Sequence, residues 1–86
     1  MKRQFITRVE ELFAATTAEE INTKRIELNN FVVGLRTVFD DVEPELTAKN
    51  HFVSDVNNYV EQEDKAFYKR QLLMNVQGFV EIIREL

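Results

Sequence analysis

No cysteine occurs in the 86 residues, and there are only two glycines, one proline and one histidine. Without cysteine, neither a disulfide framework nor a thiolate metal site can form. So little glycine and proline leaves scant material for the turns that β-sheets need, which favours an all-helical chain. The lone histidine excludes a di-iron bundle, since that site needs a Glu-x-x-His pair from each of two helices and the residue three before His51 is Ala48. His51 and Asp55 stand at i,i+4 spacing, but a solvated pair on an outward face is the simpler reading. The acidic stretch "FDDVEPELTAKNHF" over residues 39–52 lacks the alternating oxygen ligands and the glycine of a calcium loop. No metal and no cofactor is expected. Catalysis is not expected either: no base lies near a candidate nucleophile, and a bundle without a cleft gives paired carboxylates nowhere to act.

Long apolar runs are also missing. Nothing approaches the ~20 residues that span a bilayer, so no membrane association is expected. The start "MKRQFITRVEELF" is basic but holds no unbroken apolar core of a signal peptide. A soluble, cytoplasmic protein is the expectation. The chain begins with Met and ends inside a helical pattern, which suits a whole protein or the first domain of a longer one.

What is present is enough for a core: 44% hydrophobic residues, including seven Phe. A chain of this length makes one domain, residues 1–86. Its stability should be modest, because roughly 1.5 kcal/mol of ordering entropy per residue nearly cancels the burial gain in so small a domain. The net charge of −4 is unevenly spread. Residues 1–39 carry six basic and five acidic side chains, residues 40–64 one basic and eight acidic, and residues 65–86 four basic and two acidic.

Apolar spacing predicts a first, short helix over about residues 3–15, with Phe5, Ile6, Val9, Leu12 and Phe13 on one face. Thr16 or Thr17, followed by glutamates, then offers a capping box. A long second helix is predicted over residues 18–41, burying Ile21, Leu28, Phe31, Val32, Leu35, Val38 and Phe39. Glu20–Lys24 and Arg36–Asp40 are its expected i,i+4 ion pairs, and Gly34 is expected to let a neighbouring helix approach. Pro44 ends the pattern and opens a third helix over residues 44–62, with Glu43 and Glu45 favoured by the dipole of its first turn. That helix buries Leu46, Phe52, Val53, Val56, Tyr59 and Val60. Asp64 caps a fourth, residues 65–86, whose apolar face holds Tyr68, Leu72, Leu73, Val76, Phe79, Val80 and Ile83. Short connections point to a small antiparallel four-helix bundle, one short helix and three long ones. The alternative is a three-helix bundle with the first helix across one end.

Function is read from what falls off the core faces. Lys2, Arg3 and Arg8, and Lys65, Lys69 and Arg70, are small basic clusters in an acidic chain, so direct nucleic-acid binding is not expected. The leading expectation is a non-catalytic protein-binding module, of the inhibitor, immunity, antitoxin or adaptor type, that acts by occlusion or recruitment. Asp40, Asp41, Glu43, Glu45, Glu61, Glu63 and Asp64 would steer a protein partner with a basic surface. Phe67 and Met74, seven apart and outside the apolar arc of the fourth helix, would anchor it; Gly78 and Ile82 continue that side. The alternative is a structural homo-oligomer, pairing as a homodimer through off-core stripes on the second and fourth helices. Ile26, Asn30, Val33 and Thr37 are the self-association residues on the second. Asn75, at the edge of the fourth helix's apolar face, suits a boundary with solvent or a register-fixing position.

Overall fold

A computed structural model describes residues 1–40, 42 and 47–85, the side chain of Thr47 excepted. Four helices account for most of them: α1 (Lys2–Ala14), α2 (Ala18–Gly34), α3 (Thr47–Glu61) and α4 (Lys65–Ile82). Pro44, and with it the expected first turn of the third helix, lies outside the described residues, as do Asp41, Glu43, Glu45 and Leu46.

Side-chain contacts fix the direction of every neighbouring pair. Lys24 of α2 reaches Glu11 near the end of α1, and Arg8 stacks over Phe31, so α1 and α2 are antiparallel. Asn57 meets Arg25 and Asn29, whereas Lys49 meets the Val33 carbonyl, which makes α2 and α3 antiparallel. Phe52 packs on Phe79 and Asn75 on Asp55, giving the same relation for α3 and α4. Phe5 on Phe79 and Lys69 over Phe13 close the ring between α4 and α1. Because α1 runs along α4 rather than across an end, the architecture is the four-helix bundle and not the three-helix alternative.

The core is built on three aromatic rings from three helices. Phe5, Phe52 and Phe79 stand with ring centroids 5.0 to 5.3 Å apart. Leu12, Leu28, Val32, Val56 and Leu72 surround them without any exposure. Edge-to-face and offset ring pairs each add about 0.5–1.5 kcal/mol beyond the area that they bury.

Helix ends follow the expected chemistry at three places. Thr17 accepts from the Glu20 N–H at 3.1 Å while the Glu20 carboxylate reaches back to the Thr16 N–H, a capping box shifted by one residue. Asp64 accepts from the Phe67 N–H and caps α4. Lys65 donates to the Tyr59 and Val60 carbonyls, setting its charge where the dipole of α3 is negative.

The second helix departs from expectation. It stops at Gly34, seven residues before the predicted end, and Leu35 is already extended. Residues 37–40 form a hydrogen-bonded turn instead: the Thr37 hydroxyl accepts from the Phe39 N–H, and Asp40 accepts from the Thr37 N–H at 3.0 Å and from its hydroxyl at 3.0 Å. These bonds satisfy backbone donors that a continuous helix would have paired otherwise. Thr37 also pairs in antiparallel fashion with Ile83, flanked by hydrogen bonds from Val38 N–H to the Ile82 carbonyl (2.9 Å) and from Arg84 N–H to the Arg36 carbonyl (2.8 Å). A backbone clasp therefore ties the chain after α2 to the chain after α4. The connection from α2 to α3 is correspondingly long, not the short turn expected.

Five further expectations are corrected. Val38 and Phe39, placed in the core by spacing, are 45% and 43% exposed, because the helix that would have buried them has ended. Leu73 is 44% exposed at the margin of α4. Lys24 pairs with Glu11 at 3.1 Å and with Glu27 at 3.3 Å rather than with Glu20, whose carboxylate is occupied in the capping box. Asp40 pairs with Lys49 rather than Arg36. A Cβ at Gly34 would meet nothing within 4 Å, so no helix approaches closely there.

The α2–α3 seam carries a cluster of side-chain amides. Asn29 donates to Asn57 at 3.2 Å and Arg25 joins the same oxygen at 3.4 Å, with Asn22 as its second partner. Arg25 Nε and Asn29 Oδ1 are buried there with no partner among the described residues.

Candidate functional site

A groove of about 460 Å³ runs between α3 and α4, lined by Ala48, His51, Phe52 and Asp55 on one side and Met74, Asn75, Gly78, Phe79 and Ile82 on the other. Its position follows from the two helical periodicities. Phe52 and Phe79 point into the core and form the floor, while residues one step around each helix, His51 and Asp55 on α3 and Asn75, Gly78 and Ile82 on α4, form the walls. Gly78 leaves the α4 wall open, since a Cβ there would touch nothing within 4 Å. Met74 stands at the outer rim with 70% of its surface exposed.

The polar chemistry of the groove is concentrated in Asp55. Its carboxylate, partly buried, accepts a hydrogen bond from the Asn75 side-chain amide across the helix pair. It has no cationic partner among the described residues. His51, one turn earlier, is exposed and makes no bond to it. No group of three or more metal-ligating side chains exists among the described residues. The arrangement offers an oriented negative charge beside an apolar, methionine-rimmed slot.

The expected site residues are not gathered in one place. Met74 and Gly78, with the flanking Ile82, line the groove, so the off-core side of α4 becomes one wall of it. Phe67 is 43% exposed but stands apart, its ring edge-on to Tyr68 at 5.0 Å. Glu61, Glu63 and Asp64 are exposed together around the α3–α4 turn, and Asp64 is engaged as the cap. Asp40 lies at the opposite end of the bundle, separated by the ~22 Å length of α3. Ile26 and Val33 are 47% and 63% exposed on the outer side of α2, with Asn30 between them. Thr37, expected beside them, is instead completely buried in the clasp. Asp55 and the groove itself were missed; the i,i+4 relation of His51 and Asp55 and the edge position of Asn75 were the available signals, and neither reveals a contact between helices.

Three cations of the basic clusters are engaged with aromatic rings. Arg8 lies 4.6 Å over the Phe31 ring, Lys69 5.1 Å over Phe13 and Lys65 5.4 Å over Tyr59. Such cation–π contacts hold these cations against the bundle.

Asp40 is locally engaged rather than presented. The hydrogen bond from the Thr37 backbone N–H, then that from the Thr37 hydroxyl and the charge of Lys49, hold its carboxyl below the usual value of 3.8, against the opposing effect of desolvation. A carboxyl whose folded value is depressed favours the folded state fully above the unfolded value and loses that contribution as pH falls through the folded one. Acid unfolding below pH 3.8 is therefore expected to draw on Asp40, and Asp40→Asn should flatten that limb when chemical-denaturation midpoints are compared with the parent from pH 6 downwards. Parallel curves for the two proteins would remove the linkage.

No family model, curated protein or solved structure matches this chain. No helix among the described residues is long and apolar enough to cross a membrane. The fold and the groove are therefore the whole basis for a functional reading.

Proposed function

We propose that this chain is a non-catalytic protein-binding module, cytoplasmic, that seats a cationic segment of a protein partner in the α3–α4 groove and acts by occluding or recruiting that partner. The observation that carries the reading is Asp55: a partly buried carboxylate, oriented by Asn75, with no cation of its own, on the wall of an apolar slot. A lysine or arginine of the partner completes that charge, and an adjacent apolar side chain fills the space over Gly78 against Phe52 and Phe79. Met74 supplies an adaptable rim, as methionine does on surfaces that accept varied shapes. Glu61, Glu63 and Asp64 at the end of the same helix pair add attraction at longer range and set the rate of encounter more than the affinity.

A photoreactive residue at position 74 tests this in the cells that make the protein. It is expected to crosslink to a partner segment that carries Lys or Arg, and Asp55→Asn should lower the yield about tenfold, as loss of a charged hydrogen bond worth about 1.5–3 kcal/mol implies. No adduct, or a yield indifferent to Asp55→Asn, removes the groove as the binding site.

A further inference from the structure

We propose that Asn75 makes the α3–α4 groove selective for a primary ammonium over a guanidinium, so that the partner inserts a lysine and not an arginine; this rests on the groove being the partner's seat. The hydrogen bonds of Asp55 decide between the two cations. Its Oδ2 accepts from the Asn75 side-chain N–H, and its Oδ1 accepts from nothing among the described residues. A guanidinium binds a carboxylate best as a planar fork that takes both oxygens at once. With Oδ2 engaged, that fork is denied. An ammonium is a compact charge with three rotatable donors, and one open oxygen suffices for it.

Asn75 supplies the second contact. Its amide nitrogen faces Asp55, and the oxygen of the same amide, unbonded among the described residues, remains as an acceptor on the α4 wall. An ammonium in the slot donates to the charged oxygen of one wall and to the neutral oxygen of the other. Ammonium groups of this chain already bridge acceptors in that manner. Lys24 joins Glu11 and Glu27 at 3.1 and 3.3 Å, and Lys65 joins the Tyr59 and Val60 carbonyls. The other mode open to arginine, stacking on a ring face, is closed in the groove. Phe52 and Phe79 lie stacked on each other at 5.0 Å and are 2% and 4% exposed. Where a ring does offer its face, at Phe31, an arginine of this chain, Arg8, occupies it. The apolar floor and Met74 suit the methylene stem of lysine, which lies along such a surface with its charge at the polar wall.

The ions n-butylammonium and n-propylguanidinium, which reproduce the lysine and arginine side chains, test the selectivity on the intact chain. Each is titrated while the Gly78 backbone amide resonance is followed by NMR, since Gly78 lines the groove and is retained in every variant. The ammonium is expected to bind with a midpoint near ~10 mM and the guanidinium about fivefold more weakly, the difference made by one hydrogen bond. Asn75→Ala frees Oδ2 for the fork and removes the second acceptor, so the two midpoints should converge or change order. Asp55→Asn should abolish both responses, with the other amide resonances checking that the fold is retained. Equal midpoints in the unaltered chain, tighter binding of the guanidinium, or a preference unmoved by Asn75→Ala overturns the selectivity and leaves the groove as the partner's seat. No response to either ion up to about ten times the expected midpoint, or responses that persist in Asp55→Asn, overturns the seat and the selectivity with it.

Discussion

Replacement of Phe52 by alanine is expected to remove most of the stability of the fold, leaving up to about half of the molecules unfolded at room temperature. Phe52 is 2% exposed and touches both other rings of the aromatic centre, Phe5 at 5.2 Å and Phe79 at 5.0 Å. Removing a buried phenyl group costs about 3–5 kcal/mol, the transfer free energy plus that of the cavity left behind. A domain of this length has a total stability on the order of 5 kcal/mol, so this one truncation consumes most of it. Phe52→Leu keeps most of the volume and should cost only about 1–1.5 kcal/mol. Urea titrations followed by circular dichroism distinguish these outcomes, and an alanine variant that loses less than about 1 kcal/mol would mean that the three rings are not the centre of the core.

Deleting residues 83–86 is expected to cost about 2.5–4 kcal/mol, from the burial of one isoleucine (about 1.5–3 kcal/mol) and one backbone hydrogen bond (about 1 kcal/mol). Ile83 is 3% exposed and belongs to the main core, and the Arg84 N–H donates to the Arg36 carbonyl. The deletion also uncovers Thr37, which is otherwise without exposure. Ile83→Ala isolates the side chain from the backbone pairing. If the deletion costs no more than this substitution in the same urea titration, the clasp contributes nothing beyond the isoleucine.

The number of helices, their faces and two of their caps were legible in the sequence, because each rests on a local signal: apolar spacing, Thr17 before Glu20, Asp64 before Lys65. The end of α2 was not, although its signal was present. Thr37 and Asp40 stand three apart, as Thr17 and Glu20 do, but the apolar spacing of Leu35, Val38 and Phe39 runs through them as though the helix continued. Two local patterns compete there, and the tertiary pairing with Ile83, far away in sequence, decides between them. The groove was illegible for a related reason. Met74 and Gly78 announced an unusual side of α4, and Asn75 an unusual edge, yet only the packing of α3 beside α4 brings Asp55 to that edge and leaves its charge unmatched.

The polar seam between α2 and α3 bears on how the molecule opens. The bundle consists of two hairpins, α1–α2 and α3–α4, joined on one side by the aromatic rings and on the other by Asn29, Asn57 and Arg25. Water can replace the amide bonds of that second side and also satisfy Arg25 Nε and Asn29 Oδ1, so separation there forfeits little polar bonding. The hairpins thus share a hinge of phenylalanines and a wet edge. Native fluctuations that stop short of global unfolding should part the molecule along that edge, exposing the inner sides of α2 and α3 to solvent exchange while the phenylalanine hinge stays closed.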